Sequence, residues 1–165
     1  MTAALPTRAA ALVRELALQP HPEGGYYREL FRSTLQVAPA DDRAPRCALT
    51  CIDFLLARGQ FSAWHRVRSD EVWHRLEGAA LSLWLMAPTF DRIKQIVLDD
   101  TGAGRAPRHA VPAGCWQAAE SLGEFTLCGA TVGPGFEFED FAFLRDDPAA
   151  RAALARLAAP LQRLL

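Results

Sequence analysis

The stretch from Gly59 to Gly78 constrains this chain most, because it sets chemically active side chains at fixed spacing between two glycines. His65 stands six residues after the first glycine, and Glu71 follows six residues after the histidine. The intervening Arg68-Ser69-Asp70 predicts a tight turn between two β-strands. Side chains two apart share one face of a strand, and opposed residues of a hairpin contact each other. The stretch therefore predicts a hairpin that directs an imidazole and a carboxylate into one barrel interior.

This spacing resembles the first cupin motif, in which a glycine, two histidines, a glutamate and a second glycine recur in register. Val67 stands where the second histidine of the motif belongs. The segment Val111 to Gln117 resembles the second cupin motif, with Gln117 in place of its histidine and Ala106 in place of its leading glycine. Val67 and Gln117 thus replace histidines that ligate metal in many cupins.

Four longer segments resemble one branch of that superfamily, the cupin 5 family, long labelled a domain of unknown function. Together they extend over roughly residues 15 to 145. They are PHPEGGYYRE (Pro20 to Glu29), SDEVWHRLEG (Ser69 to Gly78), VPAGCWQAA (Val111 to Ala119) and VGPGFEFEDF (Val132 to Phe141). The resemblance implies a fold and carries no established activity.

The rest of the chain favours the same fold. Short β-rich segments separated by glycine and proline turns, with helices only near the ends, are typical of a jelly-roll barrel. We therefore predict an all-β double-stranded β-helix, the cupin jelly-roll barrel, as a single domain over residues 1–165 with its core at about 20–145. Short helices are expected at about 8–18 and 148–163.

Local signals refine that prediction. Thr7 is expected to cap the first helix, and Asp147 the last helix with Pro148 at its first position. Phe136 to Leu144 is predicted to be the last strand, following the turn at Gly133-Pro134-Gly135.

Composition excludes several classes of partner. Eighteen basic and nineteen acidic residues give a formal net charge of −1 without a block of like charges, so neither nucleic acid nor an anionic membrane is an expected partner. The N-terminal segment lacks the apolar core of a signal peptide, and the longest apolar run is too short to span a bilayer. Four cysteines without a CxxC pair indicate reduced core thiols in a cytoplasmic protein: Cys47, Cys51, Cys115 and Cys128.

One interpretation of the site is a metal centre. In metal-dependent cupins a divalent ion is held by three histidines and a glutamate of the motifs, and only His65 and Glu71 match here. Val67 cannot ligate, and the amide oxygen of Gln117 is a weak ligand beside imidazole. The candidates for one divalent metal are therefore His65, Glu71 and Gln117. Because catalytic zinc or iron sites keep three strong protein ligands, the residues favour a site without metal.

The other interpretation is acid–base chemistry without metal. The chain is similar to the dTDP-sugar 3,5-epimerases, metal-free cupins in which a histidine base works opposite a tyrosine acid. That likeness implies His65 as the base, with Glu71 orienting the imidazole and raising its basicity. Tyr26 and Tyr27 are the two tyrosines of the chain, and either is open as the acid, with Tyr26 taken as the candidate.

Further residues are candidates for ligand binding. Glu23 and Arg28 lie in the PHPEGGYYRE segment, and Gln117 is expected to face the same cavity as His65. Trp73 and Trp116 could stack on a sugar ring, although core packing is the favoured explanation for each.

These residues predict a cupin that binds a small polar or carbohydrate-like molecule, with an epimerase or isomerase as the leading enzymatic form. The alternatives are a metal-dependent enzyme and a non-catalytic binding protein. Because several strands are apolar on both faces, a homodimer is the expected assembly.

Overall fold

The computed structural model describes residues 5–102 and 104–165 of the chain, with two α-helices and thirteen β-strands in those ranges. The helices are α1 (Thr7–Glu15) and α2 (Pro148–Ala158). The strands are β1 (Gln19–Pro20), β2 (Tyr26–Arg32), β3 (Gln36–Val37), β4 (Arg46–Cys47), β5 (Thr50–Ala57), β6 (Phe61–Val67), β7 (Asp70–Gly78), β8 (Leu81–Met86), β9 (Ile93–Leu98), β10 (Arg108–Val111), β11 (Trp116–Ser121), β12 (Phe125–Gly133) and β13 (Phe141–Phe143). Short 3-10 helices cover Phe138–Asp140, Leu144–Asp146 and Ala159–Leu164.

Two antiparallel sheets form the body of the barrel. One has the strand order β1-β2-β5-β12-β7-β10, and the other has the order β13-β6-β11-β8-β9. Apolar side chains from both sheets meet between them, among them Phe54, Trp73, Leu83 and Ala119. The predicted cupin jelly-roll barrel is therefore confirmed.

The helices cover the outer faces of the sheets. On one side Ala9 and Leu12 of α1 pack against Leu55 and Leu127. On the other side Leu154 of α2 belongs to a cluster that covers the outer face of the second sheet. This outer packing explains why several strands are apolar on both faces. Within the described residues, no helix is long and apolar enough to cross a membrane.

The predicted hairpin between His65 and Glu71 is wrong. β6 pairs with β11 and β13, whereas β7 pairs with β12 and β10 in the facing sheet. The turn after Val67 is thus a corner that crosses from one sheet to the other, and the main-chain N–H of Arg68 donates to the carbonyl oxygen of Asp140 there. A local turn signal cannot separate these arrangements, because partners distant in sequence decide which strands pair. His65 and Glu71 still reach one interior, but from opposite walls.

The ends of several elements differ from the prediction. α1 begins at Thr7 with Pro6 as its N-cap and ends at Glu15, because Ala17 turns away with a φ of 51°. The Asp147 cap and Pro148 at the first position of α2 are confirmed, with Asp147 accepting a bond from the main-chain N–H of Ala150. The N-terminal segment in which no signal peptide was expected includes residues 1–4, which lie outside the described residues.

The prediction of one strand from Phe136 to Leu144 is wrong, because only β13 within it is a strand and a 3-10 helix precedes β13. The reason is that Phe136, Phe138 and Phe141 pack edge to face against one another instead of alternating between two faces. Asp140 anchors this segment, since it is buried and its carboxylate accepts two bonds from Arg46, at 3.0 and 3.1 Å. The anchoring holds the neighbouring aromatic residues at the rim of the barrel.

Candidate active site

A cavity of about 340 Å³ lies between the two sheets. Its ionisable side chains belong to Glu23, Glu29, Glu71 and Glu137, to Arg32, and to His21 and His65. Its apolar wall is formed by Ile52, Val67, Val132, Phe136, Phe138 and Phe141. The cavity therefore combines an acidic, polar side with an aromatic side, as pockets for small molecules often do.

His65 presents one ring nitrogen as a base. The residue is 2% exposed, and its Nδ1 lies 2.8 Å from the carbonyl oxygen of Ala63. A carbonyl oxygen only accepts, so Nδ1 carries the proton and Nε2 keeps its lone pair. The ring stacks on Phe141 with 5.2 Å between centroids. Burial lowers the pKa of His65 below its ordinary value, an effect that the nearby Glu71 opposes, so the imidazole is neutral near pH 7.

Glu71 holds a proton near neutrality. Its Oε2 accepts a 2.6 Å bond from the amide of Gln117, whose own oxygen accepts a 2.9 Å bond from the indole N–H of Trp73. Burial raises the pKa of Glu71 to about 7, and the neighbouring Glu23 adds to the rise while His65 opposes it. Carboxyl groups with a pKa near 7 exchange protons readily at physiological pH.

Glu23, and not Glu71, is the carboxylate in direct contact with the imidazole of His65. Its Oε2 lies 3.2 Å from Nδ1 of His65, and its Oε1 accepts a 2.9 Å bond from Ser62. The Glu23 carbonyl oxygen accepts from the main-chain N–H of Ala63, which ties the loop to β6. The loop packs tightly, since a Cβ added to Gly24 would lie 2.1 Å from the carbonyl oxygen of Phe61. Glu23 therefore helps to hold the direction of the His65 ring, whose tautomer is set by the Ala63 carbonyl.

His21 complements His65 in hydrogen bonding. The main-chain N–H of Glu23 donates to Nδ1 of His21 at 3.3 Å. Because that nitrogen accepts, the proton of neutral His21 is on Nε2, which makes this ring a donor. Burial lowers the pKa of His21, so the neutral form is favoured. The cavity thus holds one imidazole that donates and one that accepts.

Two predicted residues do not line the cavity. Tyr26 packs against the cluster beneath α1, and Arg28 pairs with Asp53 at 2.7 Å outside the cavity. Tyr27, between them on β2, lines the cavity and meets His21 edge to face at 4.5 Å. The alternation of side chains along the strand produces this division. A tyrosine acid in this cavity must therefore be Tyr27.

Three other predicted residues, Trp73, Trp116 and Gln117, also lie outside the lining of the cavity, and Trp116 packs in the outer cluster covered by α2. Trp73 and Trp116 are buried to 1% and 0% exposure, and neither lines the cavity. Trp73 packs against Phe54 in the core. Gln117 pairs with His65 in register between β11 and β6, but its amide is engaged by Trp73 and Glu71. Its role in this structure is to orient Glu71.

The donor set does not fit the metal of the cupin motifs. Among residues 5–102 and 104–165, no group of three histidine, cysteine, aspartate or glutamate side chains is arranged to hold an ion. Val67 offers no ligand atom, and the Gln117 oxygen already accepts from Trp73. We therefore derive no step through a metal.

Sequence reasoning missed His21, Glu29, Arg32 and Glu137 as cavity residues. The first lies in the PHPEGG turn, where the paired glycines were the available signal. Glu29 follows Tyr27 at a spacing of two on the same strand, which places both on one face. Arg32 and Glu137 are far apart in the sequence and meet only in the folded chain, where Arg32 Nη1 lies 2.7 Å from Glu137 Oε1.

Comparisons with known proteins agree on the family and the fold. The Cupin_5 family model, described as Cupin superfamily (DUF985), matches residues 10–144. A hypothetical protein from Leishmania major superposes with a TM-score of 0.78 at 26% identity, covering 91% of this chain and 98% of that one. The X-ray structure of a Shewanella oneidensis protein superposes with a TM-score of 0.79 at 31% identity, covering 94% of this chain and 96% of that one.

More distant matches share the fold alone. Oxalate decarboxylase from Bacillus subtilis superposes with a TM-score of 0.57 at 15% identity, covering 88% of this chain and 36% of that one. No curated protein matches the sequence significantly. The chemistry must therefore be argued from the cavity itself.

Proposed function

The chain belongs to the Cupin_5 family of the cupin superfamily, and from its cavity we propose that it is an acid–base enzyme without metal. The proposed reaction is the epimerisation or isomerisation of a small polar, carbohydrate-like molecule. One observation carries the proposal: His65 and Glu71 line the same cavity from opposite walls, one as a neutral base and one as an acid that still holds its proton near pH 7. General acid–base catalysis at that pH is most efficient when the pKa values of the acid and the base lie close to it.

The proposed step moves two protons. Nε2 of His65 takes a proton from a carbon next to a carbonyl group, and the electron pair of that C–H bond shifts to give an enolate. Glu71 or Tyr27 then donates a proton to carbon from the other side as the carbonyl re-forms. The product is an isomer, and proton exchange with water returns His65 and the donor to their starting states.

Glu23 acts as a positioning residue in this proposal. Its carboxylate, 3.2 Å from Nδ1, stabilises the imidazolium that forms when Nε2 accepts the proton. His21 lines the cavity and carries its proton on Nε2, so it is suited to bond the carbonyl oxygen where negative charge develops. The apolar wall excludes water from the enolate.

Solvent exchange tests the proposed activity. A panel of aldoses and ketoses, both neutral and amino-substituted, is incubated with the protein in deuterated water and followed by NMR. We expect one substrate to gain deuterium at the carbon next to its carbonyl, and EDTA to leave the rate unchanged. Stoichiometric metal by elemental analysis, together with loss of the rate in EDTA, would instead favour a metal-dependent cupin. Tight binding without exchange would favour a non-catalytic binding protein.

We further propose that the protein is a homodimer in the cytoplasm. Exposed apolar side chains, including Leu30, Phe31, Leu35 and Leu76, support an additional interface. The cysteines are free thiols, in keeping with a reducing compartment. Light scattering at micromolar concentration is expected to give twice the mass of the chain, and a monomer would contradict the assembly.

A further inference from the structure

The charged lining of the cavity is predominantly acidic. It includes four glutamates, Glu23, Glu29, Glu71 and Glu137, against a single arginine, Arg32, and no lysine among the described residues. The two lining histidines are favoured in their neutral forms because burial lowers the pKa of each. Burial also raises the pKa of Glu23 and Glu71, but Glu29 and Glu137 alone outnumber Arg32, so the formal charge of the lining is negative although the whole chain is close to neutral.

The arginine at the mouth is already engaged. Its Nη2 lies 2.9 Å from Glu29 Oε2 and its Nη1 lies 2.7 Å from Glu137 Oε1. Its Nε also bonds Glu29, and Nη2 bonds the carbonyl oxygen of Phe136 at 3.2 Å. All three guanidinium nitrogens of Arg32 thus have acceptors, and two carboxylates against one cation leave the mouth negative. A phosphate entering here would have to displace both carboxylates.

The two glutamates deep in the cavity have no permanent counter-charge. Glu71 accepts from the neutral amide of Gln117, and Glu23 accepts from the Ser62 hydroxyl and lies beside histidines. Within the described chain, neither glutamate forms an ion pair with arginine or lysine. Burial raises the pKa of both carboxyl groups because no cation compensates their charge, so a positively charged ligand placed between them would stabilise their ionised forms.

The aromatic wall has the same preference. Phe136, Phe138 and Phe141 contact one another edge to face, with centroids 5.1 to 6.5 Å apart. The electron-rich faces of such rings attract cations and do not attract anions. The acidic side and the aromatic side of the cavity therefore both favour a positively charged ligand.

From these contacts we propose that the substrate carries a positive charge, as in an aminated polyol or amino sugar, and carries no phosphate or nucleotide group. The inference rests on the proposed function for placing the substrate in this cavity. It separates this chain from an enzyme for nucleotide sugars, since a diphosphate needs free cationic side chains.

Binding of a cation should also be coupled to proton release. The groups that face Glu71 are His65 from β6, Gln117 from β11, and Glu23 from the loop before β2. An ammonium beside Glu71 favours its ionised form, so the carboxyl loses a proton as the ligand binds. At pH values below the raised pKa of Glu71 this carboxyl keeps its proton, which weakens binding of a cation. Affinity for a cation should therefore rise with pH, whereas affinity for a neutral polyol should change little.

A matched series of probes tests this inference: glucamine, sorbitol and sorbitol 6-phosphate present one polyol chain with an ammonium, a hydroxyl or a phosphate. Each is titrated into the full-length protein by calorimetry at about pH 6 and pH 8. We expect glucamine to bind about tenfold tighter than sorbitol at pH 8, with the preference reduced at pH 6. Glu71→Gln should reduce the preference and its pH dependence, whereas Glu124→Gln, an exposed control outside the cavity, should keep both.

The outcomes separate this inference from the proposed activity. Equal binding of glucamine and sorbitol, tighter binding of the phosphate, or no binding of glucamine would overturn the charge preference. A preference equally lost in Glu124→Gln would also overturn it, because long-range charge would then be the cause. Preference for glucamine in a protein that exchanges no deuterium would support the inference and count against the proposed enzyme.

Discussion

Replacing His65 with asparagine is expected to lower the rate of deuterium exchange by about 10²- to 10⁴-fold, the usual contribution of a positioned general base. Asparagine is neutral and polar, but it has no basic nitrogen to replace Nε2. The wild-type rate should also fall as the pH rises through about 7, because Glu71 then loses the proton that it donates. The pH–rate profile in deuterated water measures both effects.

His74→Asn is the matched control for this substitution. His74 lies on the same strand as Glu71 but does not line the cavity. Its loss should leave the rate within about twofold of wild type, since it touches no reacting atom. Full activity in His65→Asn, or an equal loss in His74→Asn, would contradict the assignment of the base. Glu23→Gln should lower the rate less than His65→Asn, because it removes only the charge that supports the imidazolium.

Replacing Glu71 with glutamine is expected to stabilise the folded protein at high pH by about 3 kcal/mol. Folding raises the pKa of Glu71 to about 7 from a model-peptide value near 4.5, chiefly because the carboxyl is buried. The protonated carboxyl is favoured in the folded state, so its contribution is fully present below about pH 4.5. It is lost as the pH rises from there through about 7, and glutamine has no proton to lose.

Urea denaturation at about pH 4.5 and pH 8 measures this difference. The variant and wild type should differ little at the lower pH, while the variant should be the more stable at the higher pH. Glu124→Gln, at an exposed turn, should match wild type at both. A gain in the free energy of unfolding that is the same at both pH values would show that ionisation of Glu71 is not its cause.

Much of the fold could be read from local sequence. The proline–glycine turns, the short apolar strands and the Asp147-Pro148 cap each act through neighbours in the chain, so local patterns predict them. The spacing of His65 and Glu71 also placed both residues in one interior. The predicted connection between their strands was wrong, however, because the corner after Val67 joins two facing sheets and does not close a hairpin.

The pairing of charges in the site could not be predicted from the sequence. Glu23 meets His65 across a sequence separation of about forty residues, and Arg32 meets Glu137 across more than a hundred. Nothing in the local pattern around any of these residues favours one partner over another. The choice between Tyr26 and Tyr27 likewise depended on which face of β2 was covered by α1.

The sequence by itself determined the barrel, its family and the two ionisable groups at its centre, because turn chemistry, strand alternation and motif spacing are short-range properties. Only the tertiary structure decided which nitrogen of His65 is free, which carboxyl keeps its proton and what charge the cavity prefers. Those properties depend on burial and on contacts between distant segments. The Ala63 carbonyl sets the tautomer of His65, and enclosure between two sheets raises the pKa of Glu71.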